Sequence, residues 1–149
     1  MMETVWGQLL LAFSGALGYG FLFHLPKRLF FSAAFGGLLG WGVYLLAGLC
    51  TGSGPVRYFL ACILLTIYAE VMARRHKTPA TLFVVPAAMP LIPGGALYYM
   101  MKYAVEQQWA DAGAYGGTAL SIALSIACGI LTAMLAVRLF FILRGQRRG

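Results

Sequence analysis

Charge is what this sequence has least of. Only 10% of its 149 residues are charged, while 61% are hydrophobic. Soluble domains lie nearer ~25% and ~45–50%, so a water-soluble fold of this length could not hide its apolar surface. Acidic residues are scarcest: Glu3, Glu70, Glu106 and Asp111 are the whole set. No nucleophile–base pair, phosphate loop or metal motif is present, which argues against an enzyme, a cofactor and direct use of ATP. Cys50, Cys62 and Cys128 form no CxxC and have no histidine beside them. They read as small apolar fillers, with no disulfide framework and no metal site. His24 and His76 lack partners at ligand spacing and read as loop residues. A basic leader is also missing. The first segment carries Glu3 and no Lys or Arg, unlike a cleavable signal peptide, so the first apolar block reads as a retained helix.

What is present is long apolar runs. A helix needs roughly 20 apolar residues to cross a ~30 Å hydrocarbon core. Five blocks meet this, at about residues 5–23, 29–50, 55–73, 78–103 and 116–143. The expected fold is therefore an all-α integral membrane protein of five transmembrane helices in a single transmembrane domain, 1–149.

The net charge of +7 is distributed as topology signals rather than as a nucleic-acid surface. Lys27 and Arg28 lie between spans one and two, and Arg74, Arg75 and Lys77 between spans three and four. Arg144, Arg147 and Arg148 form the tail. With five spans these fall on one side, while Glu3, Arg57, Lys102, Glu106 and Asp111 fall on the other. Arg138 lies within the last helix. The positive-inside rule then puts the N-terminus outside and the C-terminus in the cytoplasm. The lipid bilayer is the solvent, and the basic clusters suit anionic lipid.

Small residues recur on helix faces. Span two carries Gly36, Gly37, Gly40 and Gly42, and span five carries Ser121, Ser125, Gly129 and Ala133 at every fourth position. Such faces let helix backbones approach in lipid, either within this chain or against a partner subunit. The run 51–55 reads as a tight outer turn with Pro55 in the first helical turn. Residues 104–117 read as a longer outer loop.

The fourth span differs from the others. Pro86, Pro90 and Pro93 fall within it and are followed by Gly94 and Gly95. Each internal proline costs about 3 kcal/mol of helix stability, so the expectation is a helix broken near residues 90–91, close to the middle of the span. Unwound backbone at that depth must be buried by protein or reached by water. Discontinuous midplane helices recur as substrate sites in secondary transporters. A half-helix starting near Gly94 would present free N–H groups and a positive dipole end to a carboxylate-bearing substrate. The alternative is a kinked helix with no ligand. Pro90, Pro93, Gly94, Gly95 and Tyr98 are thus the candidate substrate-binding residues. Thr78, before Pro79, reads as an N-cap. Glu70 suits an i,i+4 ion pair with Arg74 or a coupling or gating role, to which Lys77 and Thr78 also belong.

Three stretches resemble a known family. They are Gly18-Tyr-Gly-Phe-Leu-Phe-His-Leu-Pro26-Lys-Arg28, then Glu70 with the basic turn after it, then Lys77-Thr-Pro-Ala-Thr through Met89-Pro-Leu-Ile-Pro-Gly-Gly-Ala-Leu-Tyr98. Together with the length and five-span plan, they make the chain similar to the small membrane subunit of the threonine/serine exporter family, which corresponds to the C-terminal half of the single-chain exporters. Pro86 departs from the pattern, where a small residue such as glycine is expected, and could shift the end of the first half-helix. The resemblance implies a secondary exporter of threonine and serine in a bacterial cytoplasmic membrane. It also implies a larger five-span partner subunit with a cytosolic N-terminal portion. Two five-span halves of one fold must sit in opposite orientations, as an inverted repeat. Export of a dicarboxylate such as succinate, or a non-transporting scaffold role, are the alternatives.

Overall fold

The computed structural model describes residues 2–146, with side chains placed over 5–143. Expectations that rest on the side chains of Glu3, Arg144, Arg147 and Arg148 therefore fall outside the described residues. The chain is all-α: α1 (Met2–Leu22), α2 (Lys27–Cys50), α3 (Gly54–His76), α4 (Thr81–Ala88), α5 (Gly94–Val105) and α6 (Trp109–Gln146). A 3₁₀ turn, Met89–Leu91, continues α4. Helices α1, α2, α3 and α6 are each long and apolar enough to cross a membrane, and α4 with its 3₁₀ turn and α5 make a fifth span bent by 55°.

The core lies among α2, α3 and α4. At one end Leu25, Leu29, Ala33, Ala69, Ala73 and Phe83 cluster. Further along, Ala61, Cys62 and Leu65 meet Ala87 and Leu91. Alanine and glycine dominate because the backbones run close together. A Cβ on Gly37 would lie 2.7 Å from the Ala16 Cβ, and one on Gly129 would lie 2.7 Å from the Phe59 carbonyl oxygen. Gly36 likewise faces Ala87 and Tyr68, whose hydroxyl donates to the Ser32 carbonyl at 2.8 Å. The small-residue face of α6 thus packs at Gly129 within this chain, against α3. Gly15 and Gly18 of α1 face no side chain or backbone within 4 Å.

Glycine is not used here for left-handed backbone. No described glycine has positive φ, whereas His24, Lys77 and Gln107 do. Each closes a helix with the same pair of bonds. After α3, the Thr78 N–H donates to the Ala73 carbonyl at 2.9 Å and the Lys77 N–H to the Arg74 carbonyl at 3.4 Å. After α1 and α5, Leu25 bonds Gly20 and Gln108 bonds Tyr103 in the same way. These are Schellman motifs, which normally carry glycine at the left-handed position.

Four local expectations change. Residues 104–117 are not a loop, since only 106–108 separate α5 from α6. Gly116 lets Met100 approach to within 3.1 Å of where a Cβ would stand, and Tyr115 stacks on Tyr99 and Tyr103 at 5.3 and 5.5 Å. Packing against α5 thereby keeps this glycine-rich stretch helical. Thr78 is not the N-cap of α4. The Schellman turn takes up its backbone, and α4 begins after Ala80, whose side chain cannot cap. Lys27 and Arg28 belong to the first turn of α2. His24 holds the turn after α1, but His76 is the last residue of α3, against the Phe83 ring.

These contacts give a paired expectation. Gly129→Ala destabilises the fold by about 1–3 kcal/mol, the usual cost of overpacking. Gly113→Ala, where nothing lies within 4 Å, is neutral or stabilising by up to ~1 kcal/mol. Unfolding of the purified variants in detergent distinguishes the two.

Candidate functional site

Proline chemistry explains where the fourth span breaks. Pro86 leaves the Leu82 carbonyl without its i+4 donor, yet α4 passes through it, because one missing bond kinks a helix without ending it. Pro86 and Ala87 are buried, so the surrounding core holds this turn in place. Pro90 then falls in the 3₁₀ turn, and Leu91, fully buried, anchors it. Ile92 is extended at φ −62°, ψ 132°, and Pro93 sits at φ −76°, ψ 57°. The Pro93 values are those of an inverse γ-turn, closed by the Gly94 N–H on the Ile92 carbonyl at 2.7 Å. Helix α5 starts there, and its first bond runs from the Leu97 N–H to the Pro93 carbonyl at 3.1 Å. The N–H groups of Gly95 and Ala96 have no acceptor among the described residues. Gly94 and Gly95 are exposed, with open space where a Cβ would project.

The two break prolines face different hollows. Pro90 and Met89 line a cavity of about 280 Å³ with Gln8, Tyr19 and Trp41. In it the Trp41 Nε1–H donates to the Gln8 Oε1 at 3.3 Å. Pro93 lines an apolar groove of about 590 Å³ between α5 and α6, with Leu97, Met100 and Ala123. Tyr98 is 64% exposed and stands edge-on to Tyr99. Helix α5 has no buried residue and packs extensively only on α6.

The other three candidates do come together, at the start of α4. Glu70, Arg74, Lys77 and Thr78 line a hollow of about 410 Å³, and Arg138 of α6 joins them. The Glu70 Oε2 accepts from the Arg74 Nη2 at 3.5 Å, with the Glu70 side chain 15% exposed. The Arg74 guanidinium carbon also sits 3.8 Å from the Phe141 ring centroid, which ties α3 to α6. Arg138 was not singled out from the sequence as a site residue. Its only signal there is that one charge ends a long uncharged run, and only the crossing of α6 over α3 brings it to the hollow that Glu70 lines. The α1–α2 turn joins the same end, because Leu25 and Leu29 pack with Ala73 and Phe83. The basic residues 27, 28, 74, 75, 77 and 138 thus gather at one end of the bundle.

Spans opened into two half-helices recur among secondary transporters. A family model described as Threonine/Serine exporter, ThrE, matches residues 8–136, from α1 through the break into α6. The chain belongs to the threonine/serine exporter family, and membership makes it a membrane transporter rather than an enzyme. No curated protein and no solved structure matches it.

The open space at the break separates stability from shape. Gly94→Ala with Gly95→Ala lowers the flexibility of α5 without a clash, so stability rises by about 0.5–1 kcal/mol per substitution. Thermal unfolding in detergent checks this. A fall in stability would show that the glycines meet something the open space does not reveal.

Proposed function

We propose that this chain is the small subunit of a secondary exporter that carries threonine and serine across the bacterial cytoplasmic membrane, with a larger five-span subunit covering its exposed face. The family match carries the transport reading and the substrate class. The exposure of α5 supports the partner: a half-helix at mid-span, packed on one side only, leaves free amides that hydrocarbon cannot satisfy. A second subunit in the opposite orientation would close that side, forming an inverted repeat. The end that collects Arg74, Arg75, Lys77 and Arg138 is then cytoplasmic, with the N-terminus outside. The substrate carboxylate accepts from the Gly95 and Ala96 N–H groups at the positive end of α5. Tyr98, about one turn on, supplies a hydroxyl to the partner side. Glu70 of α3 and Lys77 of the turn after it stand at the opposite end of α4 from the break, away from a substrate held there, and belong to gating or coupling.

Counterflow in liposomes tests the reading. With the larger subunit present, labelled serine and threonine should exchange, and succinate should not. Exchange of succinate alone would transfer the site to dicarboxylates, and no flux of any of the three would end the exporter reading. The Gly94→Ala, Gly95→Ala pair should abolish exchange although the protein stays folded. A cysteine at Gly95, in a chain lacking the three native cysteines, should react with a water-soluble thiol reagent in one transport conformation. Lack of reaction in both inward- and outward-facing conditions would leave only a scaffold role.

A further inference from the structure

We infer that α6 is a lever that rocks on α3 about Gly129 and couples the Glu70–Arg74 pair at one end to the position of α5 at the other. Helix α6 runs unbroken from Trp109 to Gln146, so a tilt at one end is carried to the other. Its fulcrum is tight. A Cβ on Gly129 would stand 2.7 Å from the Phe59 carbonyl oxygen and 2.8 Å from the Cys62 Cβ, so α6 rests there on the backbone of α3. Both flanks of this contact are looser. Toward the start of α3, a hollow of about 260 Å³ lies where Pro55, Val56 and Phe59 meet Leu124, Ser125 and Cys128. Toward its end, the hollow of about 410 Å³ lies where Glu70, Arg74 and the following turn meet Arg138. Each hollow is room for one end of α6 to move.

Each end of the lever holds something. At the end of α3 the Phe141 ring of α6 caps the Arg74 guanidinium at 3.8 Å, and Glu70 holds that arginine at 3.5 Å. These contacts form a latch on a partly exposed surface rather than a packed core, because the Arg74 side chain is 45% exposed. At the other end α5 rides on α6. Tyr99 and Tyr103 stack on Tyr115, and Met100 lies against Gly116. Helix α5 buries no residue and packs extensively on no other helix. Its covalent tie to α4 is the turn at Pro93, followed by Gly94 and Gly95 in open space. By helical rise, Phe141 lies about 18 Å from Gly129 and Tyr115 about 21 Å in the opposite direction. A tilt of about 10° therefore moves the two ends by roughly 3–4 Å in opposite senses. Release of the latch closes the hollow at the start of α3 and opens the one at its end. The Gly95 and Ala96 N–H groups then shift relative to α4. That these amides hold a substrate rests on the exporter reading, whereas the lever itself does not.

Distances between spin labels at both ends test the lever, in the full chain purified in detergent with its native cysteines replaced. One pair of labels sits at Leu60 and Leu120, the other at Val71 and Leu139, all on exposed side chains. Phe141→Leu keeps the apolar bulk but loses the ring. It should shorten the first distance and lengthen the second, each by about 3 Å. Arg74→Gln should do the same from the α3 side, and it keeps the test decisive if Phe141→Leu fails to fold. Leu143→Ala, on an exposed part of the same helix end, should move neither. A bis-thiol linker between Val71→Cys and Leu139→Cys should hold the first distance at its natural value even in Phe141→Leu. No change at either end, a change at one end only, or a first distance indifferent to the linker would overturn the lever. In liposomes with the larger subunit, the linker should slow serine counterflow at least tenfold. Full flux through the linked chain would overturn the coupling. No flux from the unlinked chain, with the paired distance changes intact, would instead count against the exporter reading alone.

Discussion

Backbone amides and carbonyls in hydrocarbon have no water to turn to, and this requirement orders the rest of the structure. Four spans meet it by continuous helix. The fifth meets it only in part, because three prolines interrupt the ladder and two helix starts remain uncapped. Every helix start leaves such amides. Two of these starts, those of α4 and α5, belong to the one interrupted span. Each set points a positive dipole end at open space, and α4, about 12 Å long at ~1.5 Å per residue, lies between them. A broken span of this kind therefore offers two anion-seeking ends on a single strut.

Holding such a strut still requires packing rather than propensity. The α4 segment is too short to be a stable helix alone. It is gripped because Gly36 and Gly40 of α2 and the alanines of α3 let neighbouring backbones close on it, with Phe83, Pro86 and Leu91 filling the space between. Helix α5 receives no such grip. Its attachment is the ring stack of Tyr99, Tyr103 and Tyr115 on α6. One half of the broken span thus belongs to the frame and the other to the periphery. Relative movement of the two halves would leave the core intact.

Much of this was legible in the residues themselves. Hydropathy locates the spans, and three prolines with two glycines place the break within a residue or two. The Glu70–Arg74 pair follows from helical spacing alone. Three things were not legible. The glycines at 113, 116 and 117 suggest a loop until the tyrosines that hold α5 to α6 are seen in contact. The threonine before Pro79 has the composition of a cap, but a closing turn two residues earlier claims its backbone. Arg138 comes to the same hollow as Glu70 only through the crossing of two helices far apart in sequence. In each case the missing information is tertiary contact, which local pattern does not carry.

Lys77 holds a left-handed backbone, φ 52° and ψ 46°, in a chain with 19 glycines. That conformation costs an L-residue roughly 1–2 kcal/mol, and glycine would adopt it freely. A glycine at position 77 would close α3 just as well and more cheaply, but it would carry no ammonium to the head of α4. At that cost the turn sets an ammonium beside the first turn of α4, a position that a glycine would leave without charge.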